Sequence, residues 1–292
     1  MKIHPTCVPC LLKRVLFEAN QCNATKTQQQ HAIKQACRLI SELYSSDICS
    51  ADLATKVHKQ VYSILETDDP YKELKQQSNE VAQSLVPRAE EYIQASEDPL
   101  QAAMLCSIIG NMMDFGIAGA SETPQDLLGL FNTSLQEGLG YSDYPQVHSL
   151  IENAQNLVLF TDNCGEIVFD KLLCREIKRF HPECMLTVVV KGEPVLSDAT
   201  LEDAEEIQLH EYVNAILTTG CFAVGVNVTS FPSNVLQSLQ ETDLILCKGM
   251  ANYEAFSETD YHPIAYFMRT KCAPIATSMG VPVHANVIKL FE

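Results

Sequence analysis

Basic residues are scarce in this chain relative to acidic ones. The 292 residues include 20 Lys and Arg against 37 Asp and Glu, which gives a formal net charge of −17 at pH 7. Such a protein repels the phosphate backbone of nucleic acids and anionic membrane surfaces, so neither is expected as a partner. A small phosphorylated substrate stays compatible with the charge, because a bound cation and one or two Lys side chains reverse the field inside a cleft.

Long apolar runs are also missing. No stretch approaches the roughly 18 uninterrupted apolar residues that a membrane span needs, and residues 1–7 contain no apolar signal core. The twelve cysteines are few for so long a chain and lie within apolar runs, which favours reduced thiols over a secreted disulfide scaffold. We therefore expect a cytoplasmic protein.

Complete zinc-binding patterns are absent as well. The eight histidines include no pair at ligand spacing, and no second Cys-x-x-Cys follows the one formed by Cys7 and Cys10. Two thiols at this spacing chelate a soft metal or form a redox pair, and the alternative is plain packing at a helix start. A closed zinc site needs distant partners such as Cys22 or His4. Cys7 and Cys10 are thus candidates for a second metal site or a redox site.

The pattern that is present divides the chain in two. Through residues 10–149, apolar residues recur every three or four positions, which predicts an all-α N-terminal domain over residues 1–149. From there to the end, short apolar β-type runs alternate with amphipathic helical stretches, which predicts a doubly wound, mostly parallel α/β domain over residues 150–292. Five or six strands are expected, at residues 157–160, 185–190, 215–217, 244–247, 286–291 and, less regularly, 266–268.

Three of these strands are followed by polar clusters, at residues 161–166, 191–200 and 248–254. Ligands of open parallel sheets bind beyond the carboxyl ends of the strands. Asp162, Asn163 and Asp198 supply hard oxygen ligands, which suit a divalent cation without any histidine. Lys191 and Lys248 are cations at these strand ends, and either can neutralise phosphate oxygens. The alternative is that these residues only cap helices and form turns, which explains the two lysines poorly.

Seven motifs in order resemble those of the damage-control phosphatase family, formerly a domain of unknown function. That family includes the human protein once called an acidic-residue methyltransferase, and the chain is most similar to the prokaryotic branch with an N-terminal Cys-x-x-Cys. The matching motifs are residues 7–12, 69–71, 110–116, 162–166, 191–194, 198–200 and 248–254.

The resemblance implies a Rossmann-like domain that hydrolyses phosphomonoesters of small metabolites, such as sugar phosphates or damaged phosphorylated intermediates. It implies one divalent ion (Mg²⁺, Mn²⁺, Co²⁺ or Ni²⁺) on Asp162, Asn163 and Asp198. By the same resemblance Asp162 and Lys248 are catalytic, with Lys248 holding the phosphate. The residues expected to line the substrate pocket are Glu166, Lys248, Asn111, Asp114 and Asn252. The family pattern is broken at Ser197 and at Met250-Ala251, which leaves the ligands intact but bears on substrate preference.

Two other classes of function stay open at this point. One is an S-adenosylmethionine-dependent carboxyl methyltransferase, which the single glycine, Gly165, in the turn after the first strand disfavours. The other is a non-catalytic metal- or redox-responsive binding protein. The nucleophile of a phosphatase is also open, between a metal-activated water and Asp162 itself. No oligomeric state is predicted.

Overall fold

The computed structural model describes residues 1–111 and 124–292 of the chain. Twelve α-helices and seven β-strands lie in these two ranges. The helices are α1 Cys7–Gln21, α2 Lys26–Leu43, α3 Ser50–Leu65, α4 Lys72–Ala95, α5 Pro99–Gly110, α6 Pro124–Glu137, α7 Tyr144–Asn153, α8 Glu166–Phe180, α9 Leu201–Glu206, α10 Ser233–Glu241, α11 Met250–Phe256 and α12 Ala273–Met279. The strands are β1 Tyr141–Ser142, β2 Asn156–Phe160, β3 Met185–Val190, β4 Ala215–Thr218, β5 Leu244–Lys248, β6 Ile264–Arg269 and β7 Asn286–Phe291.

The strands form one sheet in the order β1-β7-β6-β5-β2-β3-β4. Strands β2 to β6 pair in parallel, whereas β7 runs antiparallel to β6 and pairs in parallel with the edge strand β1. The predicted fold class, a doubly wound and mostly parallel α/β sheet with a helical N-terminal region, is confirmed. Every strand expected from an apolar run is present. The two-residue strand β1 was not predicted, because it does not contain an apolar run.

Apolar cores cover both faces of the sheet. Alternate residues of β2 point to opposite sides, so Leu157 and Leu159 join one cluster while Val158 and Phe160 join the other. Helices α4 to α8 cover the first face, and α10, α11 and α12 cover the second. This double cover explains why the central strands consist almost entirely of buried apolar residues.

The helical N-terminal region contributes to more than one core. Helices α1, α2 and α3 share a cluster of their own, built around residues such as Val15, Ala36 and Val57. Helices α4 and α5 instead pack into the core on the first face of the sheet. The division of the chain between residues 149 and 150 stays a prediction, and the short strand β1 lies before it.

Helix α5 packs closely against α8, and this contact brings the C-terminal end of α5 to the edge of the sheet. A Cβ atom on Gly110 would lie 2.7 Å from the ring of Phe169 and 3.0 Å from the Cα of Glu166. Only glycine permits this distance, and the next residue, Asn111, reaches the loop after β2 as a result. None of the helices described has the combination of length and apolarity that crossing a bilayer requires.

Candidate active site

The three predicted polar clusters lie at one edge of the sheet, after the adjacent strands β5, β2 and β3. The chain leaves β2 for β3 on one side and reaches β5 on the other, so the order of strands reverses at β2. Parallel sheets bind their ligands in the crevice at such a reversal. The loops that meet there carry Asp162 after β2, Asp198 after β3, and Gly249 after β5.

The structure brings the three predicted metal ligands together. Asn163 and Asp198 form an isolated antiparallel β-bridge, and the N–H of Ala199 donates to the carbonyl of Asp162 at 2.8 Å. The hydroxyl of Ser197 donates to Oδ1 of Asn163 at 2.7 Å. Asp162 and Asp198 are buried, whereas Asn163 is partly exposed. The loop after β2 and the loop after β3 are therefore joined at residues 162–163 and 197–199, where the carboxylates of Asp162 and Asp198 lie.

Amide groups and a glycine fix the carboxylate of Asp162. Its Oδ2 accepts hydrogen bonds from Nδ2 of Asn111 at 2.8 Å and from Nδ2 of Asn163 at 2.7 Å. On the far side lies Gly249, with φ of +78°, where an added Cβ would be 2.0 Å from the same oxygen. The backbone after β5 can pass this close only because residue 249 has no side chain.

Negative charge is concentrated around Asp162. Burial, and then the charges of Asp198 and Glu166, raise the pKa of Asp162 well above its usual value, while Lys191 opposes them. Burial is also the main cause of the raised pKa of Glu166, which the nearby Lys248 counteracts. Crowded carboxylates of this kind are stabilised by a dication between them.

The donor set fits a hard divalent cation. Two aspartates and the second lone pair of an asparagine oxygen are ligands typical of Mg²⁺ or Mn²⁺, which retain waters or take substrate oxygens at the other positions. Within residues 1–111 and 124–292, no three His, Cys, Asp or Glu side chains converge as a metal-binding group. An ion at this site therefore needs the amide oxygen of Asn163 in addition to the carboxylates.

Lys191 lies beside the carboxylate pair. Its ammonium is 3.2 Å from Oδ2 of Asp198, donates to Oδ1 of Asn252 at 3.1 Å, and bonds the carbonyl of Gly225. Asn252 in turn donates to the carbonyls of Thr161 at 2.9 Å and Lys248 at 2.8 Å. Asn252 thus links the ends of β2 and β5 and holds Lys191. Its predicted contact with substrate stays a prediction.

Lys248 is enclosed rather than presented to a ligand. Its ammonium donates to Oε1 of Glu166 and Oδ1 of Asp170, both at 2.6 Å, and to the carbonyl of Ser107 at 3.1 Å. Burial lowers the pKa of Lys248, but Asp170 and Glu166 together hold it above the ordinary value, so the group stays charged. Because its N–H groups all have acceptors, Lys248 must exchange one of these bonds to touch a phosphate. The predicted direct contact therefore stays a prediction.

Of the two remaining predicted pocket residues, Asn111 and Asp114, the structure describes Asn111. Asn111 donates to both Asp162 and Glu166, at 2.8 and 2.7 Å, and so joins the loop after β2 to the start of α8. Asp114 lies outside the described residues. Ser107 and Asp170 were not predicted from the sequence, although each stands one helical turn from a predicted residue, Asn111 and Glu166 respectively. That spacing was the available signal.

Cys7 and Cys10 lie in the first turn of α1. All twelve cysteines are free thiols, and five of them are buried. Burial raises the pKa of the Cys7 thiol, whereas a redox-active thiol needs a lowered one. A second metal site or redox site at Cys7 and Cys10 stays a prediction.

A cavity of about 560 Å³ lies next to the loop after β3, among the described residues. Helix α3 contributes Lys59 and Tyr62 to its wall, and the loops after β3 and β4 contribute Glu193, Pro194 and Phe222. Asp162, Asn163 and Asp198 do not line it. The cavity therefore adjoins a loop of the site without containing the predicted ligands.

Known proteins resemble this chain over its whole length. The family model described as "Damage-control phosphatase ARMT1-like domain" matches residues 3–287. A protein of Archaeoglobus fulgidus named "Damage-control phosphatase" is 39% identical, with 100% of each chain covered. An uncharacterised protein of Methanocaldococcus jannaschii is 32% identical, over 99% of this chain and 95% of its own.

A solved structure shares the fold. The crystal structure of a DUF89 family protein from Pyrococcus horikoshii matches with a TM-score of 0.90 at 25% identity, and 100% of both chains is covered. Of the activities considered from the sequence, phosphatase is the one that the names of the matched family and its relatives carry. The chain therefore belongs to the damage-control phosphatase family, and it is a phosphatase.

Proposed function

We propose that this phosphatase hydrolyses phosphomonoesters of small metabolites, sugar phosphates or damaged phosphorylated intermediates, with one divalent cation. Asp162, Asn163 and Asp198 would hold the ion, which can be Mg²⁺, Mn²⁺, Co²⁺ or Ni²⁺. One observation carries the proposal: two buried aspartates from adjacent strand ends meet, and burial followed by the charge of Asp198 raises the pKa of Asp162. The names of the relatives support the phosphatase part of the proposal.

The protein side chains around this position would orient the reacting groups. When bound, the ion would act as a Lewis acid on a phosphate oxygen and offset the charge of the transition state. Asn111 keeps the carboxylates of Asp162 and Glu166 in fixed directions through its amide. The ammonium of Lys191 lies 3.2 Å from Oδ2 of Asp198, and we propose that it shares the stabilisation of phosphate charge.

Two nucleophiles are compatible with this arrangement. In the first scheme, a water attacks phosphorus and the ester oxygen leaves. In the second, an oxygen of Asp162 forms the bond to phosphorus as the ester oxygen leaves, and water then attacks phosphorus and releases phosphate and the free Asp162 carboxylate. The stereochemistry at phosphorus separates them: with a chiral phosphorothioate ester in isotopically labelled water, the single displacement of direct attack inverts the configuration, whereas the two displacements of the covalent route retain it.

Hydrolysis of p-nitrophenyl phosphate tests the proposed function. After chelation the protein should be inactive, and addition of Mg²⁺, Mn²⁺, Co²⁺ or Ni²⁺ should restore turnover to different extents. The folded variants Asp162→Asn and Asp198→Asn should remain inactive with every ion, and a panel of sugar phosphates then ranks the substrates. Full activity in chelator, or in either variant, would contradict the proposal that an ion held by these residues is needed for hydrolysis.

We also propose that the enzyme works in the cytoplasm without a nucleic-acid or membrane partner. The net charge of −17 and the free state of all twelve cysteines support this. Cell fractionation with antibody detection tests the location. Recovery with membranes or with nucleic acid would contradict the proposal.

A further inference from the structure

The turn that carries Asp198 has an unusual backbone. Leu196, two residues before Asp198, has φ of +50°, a conformation that side chains other than glycine rarely adopt. The N–H of Asp198 closes the turn on the carbonyl of Val195 at 3.1 Å. A turn of this kind persists only where its surroundings hold it, so the groups that contact Leu196 also decide where Asp198 lies.

Helix α3 supplies the polar group that holds the turn. The N–H of Leu196 donates to the hydroxyl of Tyr62 at 2.9 Å, and the two residues are 134 positions apart in the sequence. The side chain of Leu196 packs into an apolar cluster that includes Tyr62, Val195 and Phe222. Tyr62 is itself buried, and its ring meets that of Phe222 edge to face at 5.3 Å.

One face of α3 supports the loop that carries Asp198 and the neighbouring loop after β4. Thr55, His58 and Tyr62 are spaced by three and four residues and therefore share a face of the helix. Thr55 Oγ1 accepts the N–H of Val224, in the loop after β4, at 2.9 Å. Nδ1 of His58 lies 2.7 Å from Oε1 of Glu18 in α1, and both side chains are buried. These contacts fix α3 between α1 and the sheet, so Tyr62 is a rigid support.

We propose that Tyr62 is a positioning residue for Asp198. Its hydroxyl holds the backbone of residues 195–198 in the turn that directs the Asp198 carboxylate toward Asp162. Tyr62 reaches Asp198 through the main chain of Leu196, so its effect is on the geometry of the ligands. This inference rests on the proposed function, because it takes Asp198 as a metal ligand.

The variant Tyr62→Phe tests the inference, because it removes the hydroxyl and keeps the ring against Phe222. The matched control is Tyr144→Phe, which removes another buried hydroxyl, bonded to Asp98 at 2.6 Å, at a distant place in the fold. Two quantities are measured on the chelated, folded proteins: amide hydrogen exchange of residues 191–200 by mass spectrometry, and the Kd for Mn²⁺ by calorimetry.

Tyr62→Phe should speed exchange in residues 191–200 and raise the Kd for Mn²⁺ by about 3- to 10-fold, which is what the loss of one hydrogen bond implies. Tyr144→Phe should change neither quantity. Wild-type exchange and wild-type Kd in Tyr62→Phe would overturn the positioning role while leaving the metal site intact. A wild-type protein that binds no Mn²⁺ would instead overturn the proposed function, and this inference with it.

A second variant covers the case in which Tyr62→Phe does not fold. Leu196→Gly tolerates the positive φ and keeps the N–H donor, but it removes the side chain that anchors the turn in the cluster. It should likewise raise the Kd for Mn²⁺ and speed exchange in residues 191–200. A Kd equal to that of the wild type would show that the leucine side chain does not anchor the turn. Exchange of the Leu196 amide in the wild-type protein then decides: slow exchange supports its bond to the Tyr62 hydroxyl, and exchange at the rate of an unprotected amide would overturn the positioning role.

Discussion

At the scale of single residues, the site is defined by charges buried close to one another. Asp162 and Asp198 lie next to each other, and Lys191 lies beside Asp198. A second group consists of Lys248, Glu166 and Asp170, whose side chains form two ion pairs and are completely buried. The first group has an excess of negative charge that a cation can relieve, and the second is an ion cluster held by the fold.

The raised pKa of Asp162 predicts that Asp162→Asn increases the free energy of unfolding in chelator, by an amount that depends on pH. A carboxyl whose pKa is higher in the folded than in the unfolded protein lowers the free energy of unfolding as pH rises above the unfolded value. Asparagine carries no such cost. In urea unfolding, the variant should therefore be more stable than the wild type at pH 8, with the difference shrinking toward pH 4.

The exposed Asp47→Asn substitution is the control, and it should follow the wild type across this range. If Asp162→Asn is less stable than the wild type, and by the same amount at pH 5 and at pH 8, the electrostatic description of the site is contradicted.

Replacing the buried cation should destabilise the protein strongly. Lys248→Met leaves Glu166 and Asp170 buried without their partner, and breaking a buried pair in this way costs about 3–5 kcal/mol of the free energy of unfolding. The measurement is urea unfolding at pH 7. Arg38→Met, which breaks the exposed pair with Glu42, serves as the control and should leave the unfolding curve unchanged. An equally small effect of Lys248→Met would show that the cluster does not stabilise the fold.

At the scale of elements, the ends of β2, β3 and β5 form the site. Their positions could be predicted because each strand is a short apolar run and parallel strands end at a common edge. The enclosure of Lys248 could not, since it depends on how α5 and α8 pack over the end of β5. Strand β1 could not be predicted either, because two residues carry no periodicity and pair only once β7 is in place.

Gly249, at the junction of β5 and α11, permits a specific prediction. Gly249→Ala places a methyl group against Asp162, and displacement of a ligand by about 1 Å costs about 100-fold in turnover. Gly280→Ala is the matched control, since Gly280 has φ of +68° but open space around its Cα. Both variants carry backbone strain of about 1–3 kcal/mol, so both should lose some thermal stability.

Only Gly249→Ala should lose activity, measured as turnover of p-nitrophenyl phosphate with saturating Mn²⁺ at a temperature where both variants are folded. Equal activity in the two variants would mean that the close approach to Asp162 has no role in the reaction.

At the scale of the whole molecule, the helical region contacts the loops after β2 and β3 and helix α9, which follows the second of them. Asn79 of α4 accepts the N–H of Gly165 at 2.6 Å, and Lys75 lies 2.8 Å from Asp203. Asn111 follows α5 and holds Asp162, while Tyr62 of α3 holds Leu196. The motif resemblance pointed to Asn111 in advance. The contacts of Asn79, Lys75 and Tyr62 cross more than 80 residues of sequence, and no local pattern predicts them.

This arrangement predicts that residues 150–292 do not fold cooperatively alone. Without α4 and α5, one face of the sheet, including Leu157 and Leu186, loses much of its apolar cover. The isolated segment should show no cooperative thermal transition by near-ultraviolet circular dichroism, whereas the full chain should show one. A sharp transition in the segment would establish an independent α/β domain.

The central claim is that one divalent ion lies among Asp162, Asn163 and Asp198, and diffraction from Mn²⁺-soaked crystals at the manganese absorption edge tests it directly. The account predicts a single strong anomalous peak within about 2.5 Å of oxygen atoms of these three side chains. A peak elsewhere in the molecule, such as at Cys7 and Cys10, with none at this position would contradict it.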